Sequence, residues 1–139
     1  DTFGHRVGDE VLRGVAALVQ RCTRSGDVVA RYGGDEFVAL IRLPGQDAPA
    51  FGERVRKAVQ DYDWTQVAPR LGVTVSIGVA GLDEVTAGSG REVPDPGVAG
   101  PLDLADARLY AAKNAGRNQV VPAPAGSAPL TDPRGLPFP

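Results

Sequence analysis

The chain has no methionine and a single cysteine, Cys22, among its 139 residues. A lone cysteine excludes an intrachain disulfide, so nothing marks the chain as secreted. No apolar run approaches the roughly 20 residues that a helix needs to cross a bilayer, and no signal peptide is visible. The formal net charge is only −2, from 15 Lys and Arg against 17 Asp and Glu. That balance excludes a global basic footprint for nucleic acid or an anionic membrane, so any phosphate binding must come from locally placed cations. A reading frame normally opens on Met, so a chain beginning at Asp1 is expected to be a piece of a longer one. What is present is ordinary for a globular domain: 42% hydrophobic residues, enough for one core.

Val11, Val15, Leu18, Val19 and Cys22 recur at spacings of three and four. They predict a helix opening at Gly8-Asp9 and running to about Arg24, with Cys22 as a small buried hydrophobe. Phe51, Val55, Val59 and Tyr62 mark a second helix from about Pro49 to Tyr62, its proline tolerated in the first turn. Val73, Val75, Ile77 and Val79 alternate as a half-buried strand does. A third helix is predicted from about Leu102 to Ala115, closed by Gly116, with a short strand over Asn118–Val121. Three helices flanking an antiparallel or mixed sheet make an α+β fold, and no strand is visible before the first helix. The domain spans residues 1–121, with an irregular loop at about 82–100 that is expected to be mobile. Residues 122–139, with six prolines, read as a disordered tail.

The most informative stretch is Arg31-Tyr32-Gly33-Gly34-Asp35-Glu36-Phe37, between two runs that read as strands. A Gly-Gly step between strands predicts a hairpin, because tight turns that match strand twist need residues tolerating positive φ. The turn lifts Asp35 and Glu36 to the rim of a sheet, where adjacent carboxylates suit a hard divalent cation such as Mg²⁺. Bare glycines also leave room for a polyphosphate to approach the backbone. Taken alone, the same string is equally an acidic hairpin tip in solvent.

Three further segments carry candidate chemistry. Gly4-His5, Gly8-Asp9 and Leu12 place a carboxylate at the predicted helix entry, where Asp9 by itself reads as an N-cap. A carboxylate there can also accept from both N1–H and the exocyclic amine of guanine. His5 reads as structural. Asp106-Ala-Arg-Leu-Tyr-Ala-Ala-Lys-Asn-Ala-Gly-Arg-Asn-Gln-Val-Val121 places Lys113 and Arg117 across a helix end. Two cations converging there suit a pair of phosphates, although they also simply favour the negative end of the helix dipole. Arg24-Ser25-Gly26-Asp27 is a polar turn just upstream of the hairpin.

Together these strings, with Val73-Thr74-Val75-Ser76-Ile77-Gly78-Val79, resemble the GGDEF domain, the diguanylate cyclase family, over about Asp1 to Val121. The resemblance implies a nucleotide-cyclase (palm, ferredoxin-like) fold. It also implies an enzyme that condenses two GTP into cyclic di-GMP and two pyrophosphates, each domain of a homodimer holding one GTP. It makes Asp35 and Glu36 ligands of Mg²⁺ or Mn²⁺, with Asp35 helping to deprotonate the attacking hydroxyl. Asp9 would read guanine, Gly33 and Gly34 would admit the substrate, and Lys113 and Arg117 would hold the terminal phosphates. Arg24 and Asp27, joined by Arg54, match an inhibitory site for the product. GTP as substrate implies a cytoplasmic location.

One departure accompanies the match. In the family a first central strand carries another metal-binding aspartate, followed by an Asn–Asp pair, and Asp1 matches the second member of that pair. The first strand is therefore expected to be absent here, and the isolated chain to be unstable and inactive. Two other readings remain: a non-catalytic module that binds GTP or cyclic di-GMP to regulate a partner, and a plain interaction scaffold. The intact hairpin carboxylates and cations favour the enzyme.

Overall fold

A computed structural model of the chain describes residues 3–82, 84 and 99–122. Most of the expected loop at 82–100 and all but the first residue of the expected tail at 122–139 lie outside the described residues. The elements, in order, are helix α1 (Gly4–Cys22), strands β1 (Val28–Gly33) and β2 (Glu36–Leu40), helix α2 (Ala48–Asp61), strand β3 (Ile77–Gly78), helix α3 (Ala99–Asn114) and strand β4 (Val120–Val121). Among the described residues the architecture is α+β, and no helix is long and apolar enough to cross a membrane.

The described residues fall into two compact units, one within 1–42 and 57–74 and the other within 43–56 and 75–122. In the first unit α1 buries Val15, Leu18 and Val19, three members of the predicted stripe. Val11 and Cys22 at the stripe's ends are only half-buried. The helix starts at Gly4, a turn earlier than the pattern predicts, because Gly8 does not break it. A mid-helix glycine costs only about 1 kcal/mol against alanine, and Arg6 and Glu10 pair across the extra turn at 3.7 Å. The core of this unit also contains Trp64, 2% exposed, whose indole N–H donates to the Val59 carbonyl at 2.8 Å. Its ring stands edge-on to Tyr62 at 4.7 Å, and a Cβ on Gly14 would come within 2.9 Å of it. The antiparallel hairpin β1–β2 completes the unit.

In the second unit β3 and β4 pair in parallel, Ile77 opposite Val120 and Gly78 opposite Val121. The predicted strand over Val73–Val79 is thus reduced to two residues. Its alternation is real, but a strand needs ladder partners, and among the described residues only the backbone of residues 119–121 supplies them, at Ile77 and Val79. α3 begins at Ala99 rather than Leu102, since Pro101 lies in the first turn, where no backbone N–H is required. The helix lies against β3 so closely that a Cβ on Gly78 would stand 1.9 Å from the Ala105 carbonyl oxygen and 2.5 Å from the Leu109 nitrogen. Ala112, Val120 and Val55 are buried, and Gly52 leaves the space that Val120 fills. Arg108 on α3 donates to the Val79 carbonyl at 2.7 Å and forks onto Glu84 at 2.6 and 3.0 Å. That guanidinium holds the Glu84 carboxyl below its ordinary range.

The Gly78 contact yields a direct expectation. Both atoms that a Cβ would strike belong to backbone and cannot rotate away, so Gly78→Ala is expected to lose about 3 kcal/mol or more in urea unfolding. Gly72→Ala, which meets nothing within 4 Å, is the matched control and is expected to stay within about 0.5 kcal/mol of wild type.

Candidate functional site

The hairpin is built as its glycines predict, with one correction. Only Gly34 takes positive φ, at 46°. Gly33 pairs with Glu36 as the last residue of β1, and an irregularity between Arg31 and Gly33 leaves Tyr32 as the extra residue of a bulge. The turn proper is Gly34-Asp35. Its carbonyl at Gly34 accepts both Nε and Nη2 of Arg31, at 2.9 and 2.6 Å, so a charged fork holds the turn shut. No atom lies within 4 Å of where a Cβ would stand on Gly33 or Gly34. The tip therefore offers bare backbone beside two carboxylates, Asp35 exposed and Glu36 half-buried.

Asp9 occupies the second turn of α1 and is not an N-cap, because the helix begins at Gly4. It instead lines a cavity of about 570 Å³ together with Asp35, Gly34, Arg31, His5 and Leu71. A second cavity of about 480 Å³ shares Asp9, Leu12 and Arg31 and continues to Gln20, Val29 and Phe37. The first unit thus brings Asp9 and the hairpin carboxylate Asp35 to one concave surface. Among the described residues no three His, Cys, Asp or Glu side chains gather as a ready-made metal cage. The all-oxygen pair Asp35 and Glu36 fits Mg²⁺, which commonly takes one or two carboxylates and completes its shell with water and substrate phosphates.

Arg24 and Asp27 flank a tight turn in the same unit, with Gly26 at φ 92°. Asp27 accepts the backbone N–H of Arg24 at 2.8 Å through one oxygen and that of Arg42, at the end of the hairpin, at 3.0 Å through the other. These two backbone donors, Arg24 foremost, hold the Asp27 carboxyl below its ordinary value of 3.8. The Arg42 guanidinium packs against Gly26, 3.3 Å from where a Cβ would stand. Arg54 belongs to the second unit, where its guanidinium lies 5.2 Å from the centre of the Phe51 ring.

Lys113 and Arg117 also belong to the second unit. α3 closes with Gly116 at φ 111° and the N–H of Arg117 donating to the Ala112 carbonyl at 3.0 Å, the 6→1 bond of a Schellman close. Arg117 and Asn118 then continue in the left-handed region, at φ 63° and 49°. Lys113 is half-buried in the last turn of the helix and Arg117 is exposed beyond it. The residues that hold these segments, Arg31, Arg42, Arg56, Ser76 and Asn118, have no holding role in the sequence pattern. Only Asn118 carries a local signal, since Asn after a C-terminal Gly tolerates the left-handed region.

The family model described as "Diguanylate cyclase, GGDEF domain" matches residues 1–119. Diguanylate cyclase A of Treponema denticola is 36% identical over 121 residues, covering 86% of this chain and 30% of the relative. The response regulator PleD of Caulobacter vibrioides is 42% identical over 124 residues, covering 87% of this chain and 25% of the relative. The chain thus spans 25–30% of the length of these curated relatives. The crystal structure of the GGDEF domain of DgcB from Caulobacter crescentus in complex with c-di-GMP superimposes with a TM-score of 0.67 at 30% identity. That match covers 86% of this chain and 67% of the other.

The Asp27 geometry predicts a titration. A carboxyl with a depressed folded pKa contributes stability above its unfolded pKa and loses it as pH falls through the folded value. The Arg24 and Arg42 amide resonances should therefore move together on acidification, with a midpoint below 3.8. Separate midpoints, or a shared one above 3.8, would contradict the shared carboxylate.

Proposed function

The chain belongs to the GGDEF domain family of diguanylate cyclases, and on that premise we propose that it provides one half-site for condensing two GTP molecules into cyclic di-GMP and two pyrophosphates. The observation that carries this reading is the concave surface shared by Asp9 and Asp35, with Glu36 next in the chain. Asp9 accepts hydrogen bonds from the guanine edge, which adenine cannot offer in the same pattern. The open backbone at Gly33 and Gly34 admits the triphosphate. Lys113 and Arg117 hold its terminal phosphates, Arg as a fork and Lys as a point charge. A divalent cation, Mg²⁺ or Mn²⁺, held by Asp35 and Glu36 would neutralise the triphosphate and polarise the attacked phosphorus.

In each half-reaction the 3′-oxygen of one GTP forms a bond to the α-phosphorus of the other. The bond from that phosphorus to the α,β-bridging oxygen breaks, and pyrophosphate leaves. Asp35 takes the 3′-hydroxyl proton. Two nucleotides must face each other, so a second copy of the domain completes the site. Arg24 and Asp27, with Arg54, bind the product as a brake. Asp27, already engaged by two backbone N–H groups, acts mainly by shaping the turn that carries Arg24. The cyclic di-GMP complex of the DgcB domain supports product binding by this fold.

The test is incubation of the full-length protein with GTP and Mg²⁺. Cyclic di-GMP and pyrophosphate are expected in a 1:2 ratio. Asp35→Ala should lower kcat by at least about 10²-fold, in line with loss of a general base and metal ligand. Arg24→Ala should leave catalysis in place while removing inhibition by added product. GTP binding without any product would instead favour a regulatory nucleotide-binding module.

A further inference from the structure

The turn after α3 presents a residue in a conformation that it does not favour. Gly116, Arg117 and Asn118 are all left-handed, at φ 111°, 63° and 49°. Glycine enters that region without strain and asparagine with little, but arginine has a Cβ that crowds the backbone there. Hydrogen bonds on both sides of Arg117 hold it in that backbone. Behind it, the N–H of Arg117 reaches the Ala112 carbonyl at 3.0 Å. Ahead of it, Asn118 is bound at both ends: its N–H donates to Ser76 Oγ at 3.2 Å, and its Oδ1 accepts Arg56 Nη1 at 2.9 Å.

Arg56 is well placed for this task. Its Nε and Nη2 fork onto Glu53 at 2.8 and 2.6 Å, one turn away on α2, and its side chain is 14% exposed. The guanidinium is thus charge-paired and oriented before Nη1 reaches Asn118. A planar fork anchored on two nitrogens aims the third with little remaining freedom, which a lysine could not do. The link spans 62 residues of sequence within the second unit.

We propose that Arg56 and Asn118 are a positioning pair, holding the left-handed turn so that Arg117 meets the terminal phosphates of a bound nucleoside triphosphate. The inference rests on the proposed phosphate role of Arg117. Neither Arg56 nor Asn118 touches the nucleotide; both act through the backbone of Arg117.

The experiment compares affinities for GTP and GMP in the full-length protein by titration calorimetry, since GMP lacks the phosphates that Arg117 would hold. Arg56→Lys keeps the charge but loses the fork, and should weaken GTP by about tenfold, the worth of one charge-assisted hydrogen bond, with GMP changed by less than about twofold. Asn118→Gly keeps the left-handed backbone and removes only the acceptor, so it should show the same selective loss. It carries the test if Arg56→Lys does not fold. Asn118→Asp restores the acceptor and should lie closer to wild type than Asn118→Gly. In an Arg117→Ala background, Arg56→Lys should cost GTP no more than about twofold further, because coupled residues are not additive.

Equal losses for GTP and GMP, or an undiminished Arg56→Lys effect without Arg117, would reduce the pair to general scaffolding and overturn the inference. If Arg117→Ala weakens GTP while Arg56→Lys and Asn118→Gly do not, the inference fails and the Arg117 reading stands. If Arg117→Ala itself leaves GTP affinity unchanged, both fall.

Discussion

Backbone N–H and C=O groups that leave a ladder must find other partners, and here they are met by side chains at the places where the chain reverses. The Gly34 carbonyl at the hairpin tip is taken by Arg31, and the amides of Arg24 and Arg42 by Asp27. The Val79 carbonyl is taken by Arg108 and the Asn118 amide by Ser76, while the Ala112 carbonyl accepts the Gln119 side chain beside the Arg117 N–H. Among the described residues the regular pairing is sparse, one antiparallel hairpin and one two-residue parallel pair. The reversals are therefore held by these side-chain bonds together with backbone turn bonds such as that from the Asp27 N–H to the Arg24 carbonyl. The charged residues with proposed chemistry sit on them or next to them.

This arrangement separates the residues that hold the turns from those with proposed chemistry. Arg31 clamps the turn while Asp35 stands on it, and Arg56 clamps Asn118 while Arg117 precedes it. Asp27 is a holding residue in the same sense, since both of its carboxylate oxygens are engaged by backbone N–H groups. The close approach of α3 to Gly78 belongs to the same economy. It sets the helix whose end carries Lys113 and Gly116, at a spacing that no side chain larger than hydrogen permits.

The sequence pattern located the buried faces well where the period was long. Val15, Leu18 and Val19 on α1, and Val55 and Val59 on α2, are buried as their spacing requires, whereas Phe51 is half-buried and Tyr62, just past the end of α2, is exposed. It failed where an element depends on something other than its own residues. The alternation over 73–79 promises a full strand, but pairing extends only as far as residues 119–121 reach. Asp9 reads as a cap only while the helix is taken to start at Gly8. Trp64, the only tryptophan, opens a three-residue 3₁₀ turn, too short for any period to announce that it is core.

By itself the sequence determined the chemical inventory and its order: carboxylates after a glycine pair, cations about a helix end, and the family these belong to. Such features are local, set by residue type and short spacing. Tertiary structure decided which groups share a surface, as Asp9 and Asp35 do, how much of a strand is paired, and what holds Arg117 left-handed. Those outcomes depend on hydrogen bonds between distant residues, such as Asp27 to Arg42 and Arg56 to Asn118, 15 and 62 positions apart. No helical or strand period spans such distances, because the bond exists only once the intervening chain has folded.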